Sequence, residues 1–357
     1  MSLNPNSFQT AWPLPTHPRP IVLIGAGGIV GDAHLPAYRK SSLPVAGIYD
    51  VDPAKSKALA DKFAIGKVFD SIANATSSIA AANAVFDIAV PPEFEHDVLA
   101  QLPDKSVVLM QKPMGVDLHD ARRIRDLCRK KNFTAAVNFQ LRFAPMMLIV
   151  QDAIARGLLG KVVDLDFHQN IRTPWEMFPF LKKLKRCEIL VHSVHHLDLC
   201  RALLGNPKGV YARTVQHPSF PQLASTKTSA ILDYGQSVRC CLSINHNYEF
   251  GPQHECADVS IQGTEGAMRV SLGLLMNYPE GKPETVQIAT KDQPWMDIPV
   301  PGRWFPDGFV GTMSNLQRFA AGEDAKLIND YEDAYYTMAL VEACYHSDAV
   351  GATPIPE

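Results

Sequence analysis

The chain has 357 residues, more than a single hydrophobic core can serve, so two domains are expected. With 46% hydrophobic and 20% charged residues and a formal charge of -3, it has a globular composition and lacks the long basic run that nucleic acid or an anionic membrane demands. No charge-free apolar stretch is long enough to span a bilayer, which excludes a helical membrane protein.

Residues 1–19 carry no Lys or Arg before Arg19 and a Pro-rich run begins at Pro13, so they read as an irregular arm and not as a secretory leader. From residue 20 to 142, short apolar runs alternate with helical patterns, the mark of a doubly wound parallel sheet. Ile21–Ile24 is a predicted strand, and Gly25-Ala26-Gly27-Gly28-Ile29-Val30 turns it into a helix. Glycines there let the backbone approach a pyrophosphate, whose charge sits on the free N–H groups of the helix N-terminus. The next strand, Val45–Tyr49, ends in Asp50, 22 positions after Gly28, where a carboxylate accepts hydrogen bonds from an adenosine ribose and repels a 2′-phosphate. The cofactor expected is therefore NAD. Val30 occupies the third small position of the fingerprint, a departure that touches helix packing more than phosphate contact.

Asp52-Pro53 opens a helix, with Asp as cap and Pro at the first helical position. The predicted strand Val85–Val90 runs into Pro91-Pro92, a rigid wall for a ribose, and then into a helix that carries His96. Val107–Met110 delivers Gln111 and Lys112 to the rim of the sheet, where partial burial disfavours the charged amine and suits it to hold a substrate hydroxyl. Leu118–Lys131 is an amphipathic helix with Leu118, Ala121, Ile124, Leu127 and Cys128 on one side. Phe133–Asn138 is the last strand of this half and leads to Arg142, placed either to bind the ligand or to form a salt bridge.

Residues 143–357 form the second expected domain. A helix from 144 to 155 is followed by a strand, Val162–Asn170, with Arg172 and Trp175 just beyond it as candidates to line a substrate pocket. Glu188 to Leu204 reads as a helix stopped by Gly205, and His192, His195 and His196 are spaced to share one face, where a neutral imidazole can take a hydroxyl proton. Zinc is the rival reading, but the H-E-x-x-H pattern is missing and no metal is expected. Strands follow at 210–215, 229–232, 237–245, 258–262 and 267–270 without intervening helices, so they pair antiparallel. Asp307 is a further pocket candidate, and helices are predicted at 310–321 and 330–346. The seven cysteines form no C-x-x-C pair and fit reduced thiols in a cytoplasmic protein.

In order along the chain, Gly25-Ala26-Gly27-Gly28-Ile29, His34-Leu35-Pro36-Ala37, Asp50, Pro91-Pro92 with His96, Lys112-Pro113, Asn138 to Pro145 with Arg142, and His195-His196-Leu197-Asp198 with Gly205 resemble the Gfo/Idh/MocA family of NAD(P)-dependent oxidoreductases. The resemblance implies a Rossmann domain followed by an α+β domain with a large, mostly antiparallel open sheet. It implies Lys112 and His195 as the active-site Lys and His, with His192 assisting. It also implies a sugar or polyol substrate and a homodimer or homotetramer. Two departures stand out: Gln111 replaces the Glu of Glu-Lys-Pro, and Val191 replaces an Asp four residues before His195. An enzyme that recycles its NAD during glycoside hydrolysis and a non-catalytic sensor are the alternatives to a dehydrogenase.

Overall fold

A computed structural model describes residues 3–78 and 83–355. By contacts the chain divides into two units, one of Ala11–Ala144 with Phe305–Met338, the other of Met1–Thr10, Pro145–Trp304 and Ala339–Glu357.

The first unit holds a five-stranded parallel sheet, as the alternating pattern predicts. Its strands are β1 (Ile21–Ile24), β2 (Val45–Tyr49), β3 (Val85–Ile88), β4 (Val107–Met110) and β5 (Thr134–Val137), in the order β2-β1-β3-β4-β5. Because the order reverses between β1 and β3, a crevice opens at the carboxyl ends of those strands, where open α/β sheets bind ligands. The helices are α1 (Leu35–Lys40), α2 (Pro53–Phe63), α3 (Ile72–Ser77), α4 (Pro92–Gln101) and α5 (Leu118–Lys131). Local chemistry sets their ends: Asp52 accepts from the Ala54 amide and Asp117 from the Asp120 amide, while α5 stops at Asn132 in the left-handed conformation. On α5, Ala121, Ile124 and Cys128 are buried, whereas Leu118 and Leu127 are only half-buried.

Residues 305–338 also belong to this unit, although the sequence reading assigned all of 143–357 to the second domain. The reason is apolar packing: Phe309, Met313 and Leu316 share one core with Ile21, Leu23, Val30 and Ala136. Each such side chain contributes about 1.5–3 kcal/mol when fully buried. Residues 11–19 of the arm follow the same segment, since the Trp12 indole donates to Asp324 and the Arg19 amide to Gln317.

The second unit contains α6 (Pro145–Ala155), β6 (Val162–Asn170), α7 (Val194–Leu204) and seven more strands: β7 (Gly209–Val215), β8 (Lys227–Asp233), β9 (Arg239–Asn245), β10 (Cys256–Gly263), β11 (Gly266–Ser271), β12 (Thr285–Thr290) and β13 (Gln293–Ile298). They form one sheet in the order β13-β12-β11-β10-β6-β9-β8-β7, antiparallel except for the parallel pair β6 and β9. Alternate residues such as Leu165, Phe167, Leu242, Ile244, Val259 and Ile261 are buried on one face. Two helices close the chain, α8 (Trp304–Ala320) and α9 (Tyr331–Val350). Among the described residues no helix is long and apolar enough to cross a membrane.

Candidate active site

In the first unit the expected cofactor residues gather at the strand ends. Gly25 has φ +112° and a Cβ on it would collide with the Ala89 carbonyl, so only glycine fits there. Its amide donates to the Tyr49 carbonyl at 2.8 Å, and the helix begins at once, with the Val30 amide bonded to the Gly27 carbonyl at 3.0 Å. Gly27 and Gly28 therefore stand at a helix N-terminus, Gly27 beside open space and Gly28 with only the Asp32 carboxylate within 4 Å of an added Cβ, which leaves room for a pyrophosphate. Val30 is fully buried and opens a π turn, Val30–His34, at the place where the fingerprint prefers a small residue; Ile29 is half-buried against the same core. Asp50 accepts from the Ala26 amide at 2.6 Å and the Asp52 amide at 2.8 Å, which fixes its carboxylate at the rim of the glycine turn.

Below that turn lies a buried cluster for which the sequence reading had no role. His34 Nδ1 is 2.7 Å from Asp87 Oδ2, and the Tyr38 hydroxyl donates to the same oxygen at 2.6 Å. All three are essentially inaccessible, and burial, reinforced by the Asp87 charge, raises the Tyr38 pKa well above its ordinary value. The cluster pins the glycine-turn helix to β3. A charged residue inside an apolar strand was the legible sign.

Pro91 caps α4 and Pro92 is its first residue; His96 lies on the outer side between Asp97 and Arg123, at 3.2 Å from each. The Gln111 amide extends the sheet by donating to the Ile88 carbonyl, and its side-chain oxygen accepts from the Lys112 amide. Lys112 is half-buried, and burial pushes its pKa down to about 8. Arg142 is buried, paired with Asp333 at 2.7 Å and donating to the Ile328 carbonyl at 3.2 Å, so it takes the salt-bridge place that the sequence left open. Asp307 pairs with Lys40 at 2.6 Å in the same unit.

In the second unit the stretch that bears the histidines opens with a π turn, Ile189–Ser193, and continues as α7. His192 lies within that turn, and His195 and His196 lie in the first turn of α7. His196 packs on Phe167 of β6 at 5.2 Å, and burial drives its pKa down to about 4, so it is a core residue. His195, 6% exposed, stands edge-on to Trp304 at 5.6 Å. His192 is half-buried, 5.7 Å from the ring of Trp175 and 4.5 Å from that of His246. Trp175 is thus brought to His192, whereas Arg172 points to Glu176 and gives its amide to Glu255.

Two residues here escaped the sequence reading. Glu188 is fully buried, accepts from the Ser193 hydroxyl at 2.7 Å and lies 3.3 Å from His246 Nε2. Burial alone would raise its pKa, yet the hydrogen bonds from His246 and neighbouring hydroxyls outweigh that and leave it lowered. Among the described residues no group of three or more His, Cys, Asp or Glu is arranged to hold a metal ion.

A family model described as an oxidoreductase family with an NAD-binding Rossmann fold matches residues 19–139, and its C-terminal alpha/beta companion matches residues 151–356. D-apiose dehydrogenase of Rhizobium rhizogenes is 25% identical over 87% of this chain and 89% of that protein. D-xylose 1-dehydrogenase (NADP(+)) 2 of Haloferax volcanii is also 25% identical, over 92% and 97%. In fold, the chain is similar to levoglucosan dehydrogenase in its complex with NADH and levoglucosan, with TM-score 0.78, 17% identity and coverage of 94% and 98%. With both models matched, the chain belongs to the Gfo/Idh/MocA oxidoreductase family, an NAD-binding Rossmann domain followed by the family's C-terminal alpha/beta domain.

Proposed function

We propose that the protein is an NAD-dependent dehydrogenase that oxidises a CH–OH group of a sugar, polyol or related polyhydroxy compound. The glycine turn fits the cofactor, since its tight bend at Gly25 admits no Cβ, a Cβ at Gly27 would meet nothing within 4 Å, and Asp50 is fixed at the rim. NAD, when bound, supplies the hydride acceptor. Gly25, Gly27, Gly28, Ile29 and Val30 shape the pyrophosphate turn, with Asp50 at the ribose. Pro91, Pro92, His96, Gln111 and Arg142 frame the rest, Arg142 through its ion pair. Lys112 holds the reacting hydroxyl, and His195, helped by His192, takes its proton; Arg172, Trp175 and Asp307 are assigned to substrate binding.

The observation that carries the polyhydroxy reading is the second unit's buried polar surface. Beside His246, the indole N–H of Trp175 and both amide atoms of Asn247 are buried without a hydrogen-bond partner among the described residues. Such groups cost free energy unless a ligand satisfies them, and hydroxyls do so in either direction. Named relatives that act on D-apiose and D-xylose support the same class. Gln111 and Val191 favour the non-catalytic sensor, and kinship with sugar enzymes leaves room for the NAD-recycling hydrolase. Reduced-nicotinamide absorbance, recorded with aldoses, polyols, inositols and glycosides, separates them. NADH formation supports the dehydrogenase, reducing sugar without net NADH supports the hydrolase, and NAD binding with neither supports the sensor.

Asp50→Ala is expected to narrow the preference for NAD over NADP about tenfold or more, because it removes a carboxylate that repels the 2′-phosphate. Calorimetric titration with both cofactors checks this, and an unchanged preference refutes the role of Asp50. A cytoplasmic location and a homodimer or homotetramer complete the proposal. The exposed neighbours Tyr211 and Ile231, 73% and 53% accessible and paired across β7 and β8, are where copies would meet.

A further inference from the structure

Glu188 belongs to the second unit, and none of the roles assigned above uses it. A buried carboxylate is costly unless it is hydrogen-bonded, and here one oxygen takes the Ser193 hydroxyl and the His246 ring. Its partner His246 ends β9 and presents Nδ1 to the Thr173 hydroxyl at 2.7 Å and Nε2 to Glu188 Oε1 at 3.3 Å. One assignment satisfies both contacts without a second charge: Nε2–H donates to the carboxylate and Nδ1 accepts the hydroxyl proton of Thr173. The side-chain nitrogen of Gln169 is 3.2 Å from the same Nε2, so this assignment requires the amide to be turned over, which brings its unpartnered oxygen to the Nε2–H as an acceptor.

We infer that Glu188, acting through His246, is the positioning acid of the histidine site and strengthens His192 as proton acceptor, replacing the Asp that Val191 displaces. This rests on the assignment of His192 and His195 as proton-accepting residues. The ring of His246 touches His192 at 4.5 Å with 40° between planes, so the buried negative charge lies one imidazole away from the ring that must become cationic.

Other titratable groups gathered around Glu188 do not cancel that charge. On its own stretch, burial pushes the Cys187 thiol up to about 12 and the His196 imidazole down to about 4. On α9, burial raises Cys344 to about 12 and Tyr345 further still. All four are neutral near pH 7. The next imidazole, His195, faces Trp304.

The test is a histidine-selective ¹⁵N NMR titration of the NAD-free protein, with His192→Gln used for assignment. In the wild type, His246 should show the neutral Nε2–H tautomer at pH 7; an imidazolium there would overturn the inference without need of any variant. In Glu188→Gln the midpoint of His192 should fall by about one pH unit, as expected for loss of a nearby opposite charge, and Glu188→Asp should restore most of it. A midpoint that stays in place also overturns the inference. Turnover is a separate readout. If His192→Ala keeps full kcat while the Glu188→Gln shift is present, the proton-acceptor assignment fails and the electrostatic coupling stands.

Discussion

Lys112→Met should lower kcat/KM by about 10²–10⁴-fold while NAD affinity stays near wild type. Lys112 leaves β4 directly after Met110 and Gln111, so its amine is set by the sheet rather than by a mobile loop. Burial pulls its pKa from 10.5 to about 8, which leaves the ammonium form dominant below that pH. An ammonium that holds a hydroxyl must be protonated, so the wild-type rate should decline as pH rises through about 8. The sign for stability is the reverse. The folded state binds fewer protons than the unfolded state between those two values, so stability rises with pH across that window, and below it the buried charge is a cost. Met at this position should therefore leave the melting temperature at or above that of the wild type. A variant that loses activity because it unfolds, or a wild-type profile without an alkaline decline, would contradict the role.

His195→Ala should remove most turnover, again about 10²–10⁴-fold, with NAD affinity retained. The ring is buried edge-on against Trp304, which fixes its orientation, whereas His196 packs on Phe167 of β6. Steady-state kinetics with calorimetric NAD titration on the same preparation separate the outcomes. Loss of NAD binding would move His195 from proton transfer to cofactor support.

The parallel half of the fold was legible because its signals are local. Strand β1 and the glycines after it are contiguous in sequence, Asp50 closes the next strand 22 positions after Gly28, and caps such as Asp52 and Asp117 mark helix starts within a few residues. Strands β12 and β13 were missed although Val286 and Ile288 alternate inward, because prolines at 279, 283 and 294 break the pattern on either side. The alliance of residues 305–338 with the first unit was hidden for a different reason: it depends on long-range packing of Phe309 and Met313 that no local spacing encodes.

At the histidine helix the sequence named candidates but not the rings they meet. His192 stacks near His246, His195 stands edge-on to Trp304 and His196 packs on Phe167, contacts that sequence spacing does not name. Glu188 was visible as an acid at the start of an apolar run. His246, between Asn245 and Asn247 at the end of an alternating strand, is 58 positions away, and only the sheet brings it to Glu188.

The most direct measurement is the rate of NADH formation from NAD by the wild type and by Lys112→Met, side by side, across aldoses, polyols, inositols and sugar acids. Substrate-dependent NADH that disappears in the variant is the expected result. NAD bound with calorimetric certainty but never reduced by any member of the panel, or reduction that persists undiminished in Lys112→Met, would contradict a dehydrogenase built around this lysine.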